Sequence, residues 1–239
     1  MRTLFFFLLV VMIFSSCRFF GGERISGNGK ITTQDRSVGS FNSIDASGSV
    51  KVHIKQDPSA AVRIETDENL QPYVEVYTNG NTLVIKSKEG FNLSPTKDVV
   101  VYTSAPVYKS IDVSGASDIL GDNNITGTEV LEMQVSGSGK IDAQVSVPKV
   151  SAHVSGSGDV FLKGASKEFE GSVSGSGSIK AFDLATDETK LDLSGAADAE
   201  VTANQKLDVQ VSGSGDVKYK GNASVSQSIS GSGSVKKVS

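Results

Sequence analysis

A tetrapeptide reading Ser-Gly-Ser-Gly, or a near variant, begins at Ser114, Ser136, Ser155, Ser174, Ser194, Ser212 and Ser230, in steps of 22, 19, 19, 20, 18 and 18 residues. A period of this length is the mark of a chain whose supersecondary unit is stacked on itself. Its flanks keep a second rhythm. The residue before each first Ser is Val113, Val135, Val154, Val173, Leu193, Val211 or Ile229, apolar in every copy. Two residues earlier stand Ile111, Met133, Ala152, Gly171, Leu191, Val209 and Gln227, mostly apolar, with polar or small residues between. Five residues past the first Ser the apolar slot returns, as Ile119, Ile141, Val160, Ile179, Ala199, Val217 and Val235. Alternation of period two on both sides of a Gly-rich bend predicts two strands with one buried face, joined at a corner. A flexible Gly/Ser linker has no reason to hold Val and Ile in phase through seven copies.

One such unit cannot bury its own apolar face, whereas copies stacked about 4.8 Å apart can. Each repeat therefore predicts a strand, a corner, a second strand and a variable connection to the next coil. The glycines supply positive φ at the corner, and the serines either stack as hydroxyl ladders or cap corner amides.

The corner also appears as Ser26-Gly27-Asn28-Gly29 and, shortened, as Ser47-Gly48-Ser49 leading into Val50, Val52 and Ile54. Further strands are predicted at Ala61–Thr66, Tyr73–Tyr77, Thr82–Ser87 and Asp98–Thr103. Asn79-Gly80 closes a hairpin between two of them. Asp67–Pro72 is the one short helical or loop stretch. The organisation expected is a domain over 26–239, with irregular coils and hairpins over 26–113 and regular repeats over 114–239. Gln227, in an otherwise apolar slot, with Lys236 and Lys237 reads as the blunted edge of a last coil.

Residues 1–17 read as a targeting segment, with Arg2 before the apolar run Leu4–Phe14. The run ends at Phe14-Ser15-Ser16-Cys17, which resembles a bacterial lipobox with Phe14 in place of the usual Leu. The resemblance implies acylation of Cys17, the only cysteine, a short tether over 18–25, and an address at the outer membrane of a Gram-negative envelope, facing either side. Stable anchoring follows from more than one acyl chain. A formal charge of −4 argues against nucleic acid as a partner.

The lipobox, the segment Ser47-Gly48-Ser49-Val50-Lys51-Val52-His53-Ile54-Lys55-Gln56, the stretch Asp67-Glu68-Asn69-Leu70 and the train of Val-Ser-Gly-Ser-Gly-Asp-Val units occur together. In this the chain resembles the auto-transporter-type adhesin family called the head GIN domain, over nearly its whole mature length. The resemblance implies an all-β fold, a single-stranded right-handed parallel β-helix (β-solenoid) with an irregular, hairpin-containing N-terminal part. It brings no catalytic or binding residues with it.

Residues suited to chemistry are few. His53 and His153 both fall on the polar side of alternating strands, and Cys and His form no metal-ligand spacing. Calcium-binding nonapeptide repeats need Gly-Gly-x-Gly-x-Asp at half this period, which the chain lacks. The residue after each corner reads Asp118, Lys140, Asp159, Ser178, Asp198, Asp216 and Ser234, so stacking brings only Asp198 and Asp216 side by side as like charges. That pair is the one candidate metal site, and no cofactor is implied. The expectation is a non-enzymatic envelope lipoprotein, anchored to the membrane by its lipid and offering polar faces to a glycan or protein ligand. The alternatives are a structural envelope spacer and a carbohydrate-active enzyme built on Asp198 and Asp216. Oligomeric state is not encoded in any of these patterns.

Overall fold

A computed structural model describes residues 22–238. The signal segment and Cys17 lie outside the described residues. Of the expected tether, Glu23, Arg24 and Ile25 are not free chain but part of strand β1 (Glu23–Ser26), paired in parallel with β8 (Phe91–Ser94).

The repeats form a parallel β-solenoid of about seven turns. Strands β3 (Ser43–Gly48), β10 (Ser110–Gly115) and β12 (Val130–Gly137) stack in parallel and in register with the long strands that follow: β13 (Lys140–Gly156), β14 (Asp159–Gly175), β15 (Ser178–Gly195) and β16 (Asp198–Gly213). Strands β17 (Asp216–Lys220) and β18 (Ser224–Gly231) form the coil stacked on β16, and β19 (Ser234–Lys237) stacks in parallel on β17. The connection expected to vary between coils is itself β structure. β13 keeps buried residues at Ile141, Ala143, Val145 and Val147, changes phase around Pro148, and resumes at Val150, Ala152 and Val154. Each regular coil is thus one strand bent at corners, with aliphatic residues turned inward throughout. The core is tuned by volume along its columns. Gly171 occupies an apolar slot because Leu191, Ile179 and the Phe169 ring already fill it, their nearest carbons 2.8, 3.0 and 3.2 Å from where a Gly171 side chain would begin.

The glycine ending each first strand forms an unbroken column: Gly48, Gly115, Gly137, Gly156, Gly175, Gly195, Gly213 and Gly231. All eight have positive φ. Corner amides are satisfied by the glycine carbonyl of the previous coil, as in Ser157 N–H to Gly137 O and Ser176 N–H to Gly156 O, both 2.8 Å. The serine side chains are therefore not the general corner caps, although Ser117 Oγ accepts the Val50 amide at 3.4 Å. Ser47, Ser114, Ser136, Ser155, Ser174, Ser194, Ser212 and Ser230 instead stand in register as a column on the outer surface.

The front of the chain departs from a simple sequential stack. β3 and β4 (Lys51–Gln56) form a regular coil, in register with β10 and with β11 (Asp118–Ile125) on one side. On the other side lie β7 (Thr82–Ser87) and β9 (Val100–Ala105), also parallel. The chain lays down its first coil, folds back to build the coil beneath it, and then crosses to the far side to continue. Tyr108 is buried in the crossing segment and donates its hydroxyl to Lys55 O at 3.2 Å. Burial pushes the Tyr108 phenol up to about 12. Regularity starts at Ser43 rather than at residue 114, and the irregular part is residues 22–42 together with an insertion between two regular coils. Its hairpin is the predicted one, with β6 (Val74–Asn79) antiparallel to β7 across Asn79-Gly80. β2 (Ile31–Arg36), β5 (Ala61–Asp67) and β9 form an antiparallel sheet beside it.

Ser26-Gly27-Asn28-Gly29 is not a coil corner. It wraps the carboxylate of Asp67, which is fully buried. Asp67 accepts the Gly29 amide at 2.7 Å, the Thr96 amide at 2.9 Å and the Thr96 hydroxyl at 2.8 Å. Asn69 ties down the same loop, accepting from the Asn28 amide at 2.9 Å and donating to Ser26 O at 2.8 Å. The residues after Asp67 form a short 3-10 helix, Glu68–Tyr73.

Candidate functional site

Two places gather polar side chains. The first is the column after the corners, where the register puts Asp118, Lys140, Asp159, Ser178 and Asp198 in line, followed by Asp216 and Ser234. Asp198 and Asp216 are neighbours on successive coils, as their spacing implies. One oxygen of each carboxylate is already engaged along the stack. Asp198 Oδ1 accepts the backbone amide of Asp216 at 3.0 Å, and Asp216 Oδ1 accepts the Ser234 hydroxyl at 2.6 Å. The Ser234 hydroxyl, then nearby Lys236 and Lys218, hold the Asp216 carboxyl below its ordinary value. A hard cation asks for six or more oxygen ligands, and among the described residues no group of three or more His, Cys, Asp and Glu side chains is arranged to hold a metal ion. Millimolar calcium is expected to leave the melting temperature unchanged, and Asp198→Asn with Asp216→Asn to melt alike with or without it. A calcium-dependent rise abolished by that double change would restore the site.

The second place was not legible as a site in the sequence. Four strands, of which β9 is remote along the chain from the others, put Asp35, Arg63, Tyr102 and His53 in one outward row: Asp35 on β2 faces Arg63 on β5, Arg63 faces Tyr102 on β9, and Tyr102 faces His53 on β4. The row floors an open cleft of about 460 Å³, with Lys55, Glu65, Ser104 and Asp122 around it. The His53 ring stacks on Tyr102 with centroids 5.1 Å apart and planes 29° apart. Its Nδ1 lies 2.8 Å from Asp122 Oδ1, which fixes the imidazole from the next coil. Arg63 Nε donates to Asp35 Oδ1 at 2.8 Å, and Lys55 Nζ lies 3.2 Å from Asp57. The Asp35 hydrogen bond raises the Arg63 guanidinium further above its ordinary value. Tyr102 is 40% exposed, one of three exposed large hydrophobic side chains among the described residues, with Tyr77 and Ile229.

Both histidines face outward. His153 stays a solvent-facing residue of β13, whereas His53 is held between an aromatic ring and a carboxylate. Alternation placed His53 on the polar face; only the out-of-order coil under β4 supplies its ring partner.

Parallel coils with a filled aliphatic interior and periodic polar faces define a β-solenoid of the kind found in bacterial adhesins. The chain belongs to the family described as "Putative auto-transporter adhesin, head GIN domain", whose model matches residues 40–223. Its structure is similar to the crystal structure of a putative adhesin from Bacteroides fragilis, with a TM-score of 0.84 and 26% identity over 90% of this chain and 100% of that one. It is also similar to a putative adhesin from Parabacteroides distasonis, with a TM-score of 0.75 and 27% identity over 90% and 100%. A putative lipid binding protein from the same species gives 0.73 and 26% over 91% and 100%. No curated protein matches. None of these descriptions is of an enzyme, and among the described residues no helix is long and apolar enough to cross a membrane.

Proposed function

We propose that this protein is a non-enzymatic adhesin of the Gram-negative cell envelope, tethered through acylated Cys17 and touching glycan or protein ligands with the solvent faces of its coils. The observation that carries the reading is the in-register outer surface. The serine column from Ser47 to Ser230 repeats the same donor and acceptor once per coil, and the adjoining columns carry Asp, Gln, Glu and Lys. A periodic polar surface of this sort suits an extended ligand that itself repeats, because each added coil offers the next unit an equivalent set of hydrogen bonds. The lipid-binding description of one Parabacteroides relative does not extend naturally to the interior here, since Ile141, Val160, Ile179, Ala199 and Val217 fill successive coils and are all buried.

The expected result is retention of the full-length protein on glycan and envelope-protein arrays above an unrelated lipoprotein control. Intact cells should lose both the protein and their attachment when shaved with protease. Cys17→Ser is expected to move the protein from the membrane fraction to the soluble fraction. Array binding no better than the control removes the adhesin reading, and a Cys17→Ser protein still bound to membranes removes the anchor.

A further inference from the structure

We propose that the cleft floored by Tyr102 and His53 is the saccharide site of this protein, and that its ligand is an uncharged glycan; this rests on the adhesin reading and names where and what the protein grips. The cleft's volume, about 460 Å³, falls in the range of small-ligand sites, about 300–1,000 Å³, rather than that of a flat protein interface. Tyr102 offers an exposed aromatic surface that His53 stiffens from one side. An aromatic ring of this kind presents a negative π-face, to which the weakly positive C–H face of a pyranose is complementary.

The charges around that ring set the ligand class. Both permanent cations lining the cleft have an acid beside them, Arg63 beside Asp35 and Lys55 beside Asp57; the His53 ring is hydrogen-bonded to Asp122, and Glu65 adds a further acid. An anionic sugar would have to compete with Asp35 for Arg63 under repulsion from Glu65 and Asp122, and a cationic one would have to displace Arg63 from Asp35. A hydroxyl needs no such exchange. It is donor and acceptor at once, so it can give to the free oxygen of a carboxylate and take from a guanidinium N–H in the same place. Arg63 uses one of its five N–H groups on Asp35, which leaves the others to offer. Paired charges flanking an aromatic floor thus make a surface of alternating donors and acceptors that leaves an anionic sugar no unpaired cation. The same pairing holds the polar groups in place before the ligand arrives, which lowers the ordering cost of binding.

The assignment is tested with the full chain by NMR titration against uncharged hexasaccharides of β-1,4-glucose, α-1,4-glucose and N-acetylglucosamine, beside hexagalacturonate as the acidic probe. At least one uncharged probe is expected to bind with a Kd of about 1 mM or tighter and to perturb Tyr102, His53 and Arg63 first. Tyr102→Ala is expected to weaken that binding about tenfold or more, as loss of a central aromatic contact does, and Tyr102→Phe to keep it. Arg63→Gln should weaken it while leaving the melt unchanged, since this ion pair is exposed. Lys180→Ala, far along the same sheet, should change nothing. No perturbation of the cleft by any uncharged probe overturns the assignment, as does preferential binding of hexagalacturonate. If array binding by wild type persists undiminished in Tyr102→Ala, the cleft is refuted and the adhesin reading stands on its other faces. If wild type binds nothing on the arrays, it is the adhesin reading that fails.

Discussion

Gly156→Ala is expected to destabilise the solenoid by about 3–5 kcal/mol, far more than a glycine-to-alanine change in an open turn. Two penalties combine at this position. Gly156 has φ of +113°, a conformation L side chains rarely adopt, and holding a non-glycine residue at positive φ costs about 1–3 kcal/mol. In addition, a Cβ there would sit 2.6 Å from the Gly137 carbonyl oxygen. That oxygen cannot retreat, because it accepts the Ser157 amide at 2.8 Å and so helps bond one coil to the next. Gly29 supplies the comparison: its φ is +79°, but nothing lies within 4 Å of its missing Cβ. Gly29→Ala carries only the backbone strain and is expected to cost about 1–2 kcal/mol. Urea denaturation followed by amide hydrogen exchange separates the two. Exchange at coils 140–213 should accelerate in Gly156→Ala and stay as in wild type in Gly29→Ala. Equal losses from the two changes would show that the corner glycines are there for φ alone and that the carbonyl column is not tightly packed.

The second large effect is expected at Asp67. Its carboxylate is fully buried and accepts three hydrogen bonds from residues distant in sequence, the Gly29 amide and the Thr96 amide and hydroxyl. Burial works to raise its pKa, but the hydrogen bonds from Thr96 and then Gly29 outweigh it, and the group is held below its ordinary value. Asp67→Ala strands two backbone amides and is expected to cost about 3–4 kcal/mol at neutral pH, on the scale of lost hydrogen bonds to a charged acceptor. The pH dependence has a definite sign. A carboxyl whose folded pKa lies below its unfolded value stabilises the protein fully above the unfolded value, about 4, and this contribution disappears as the pH falls through the folded value. Wild type should therefore lose stability on acidification below about pH 4, and Asp67→Asn should lack that component of the loss. Because the carboxylate fastens the 26–29 loop and Thr96, exchange should rise first in β1 and β8. A wild-type acid transition unchanged in Asp67→Asn would show that other carboxylates carry it.

Much of the solenoid was readable from residues alone because its information is local and repeated. Val113, Val135 and Val154 declare an inward face by alternation, and seven corner copies fix the phase so that the column Asp118, Lys140, Asp159, Ser178 follows by counting. The hairpin at Asn79-Gly80 was equally local. The same reasoning failed at Ser26-Gly27-Asn28-Gly29, whose letters match a corner but whose place in space is decided by Asp67, some forty positions away. It also left Asp67-Glu68-Asn69 without a task, although these residues hold that loop. Composition says nothing about which polar group a turn will meet.

The sequence by itself determined a coiled β architecture, its inward and outward faces and the register of its polar columns, because a period-two pattern repeated at a constant interval allows few other ways to bury Val, Ile and Leu. Tertiary structure alone decided the order of the first coils. The insertion after β4 folds back under β3 and β4, so that Tyr102 meets His53 on one side and Arg63 on the other. Strand pairing between segments about forty to fifty residues apart depends on the free energy of closing that loop against the contacts it gains. That balance is struck across the whole fold, which is why the cleft has no signature in the chain.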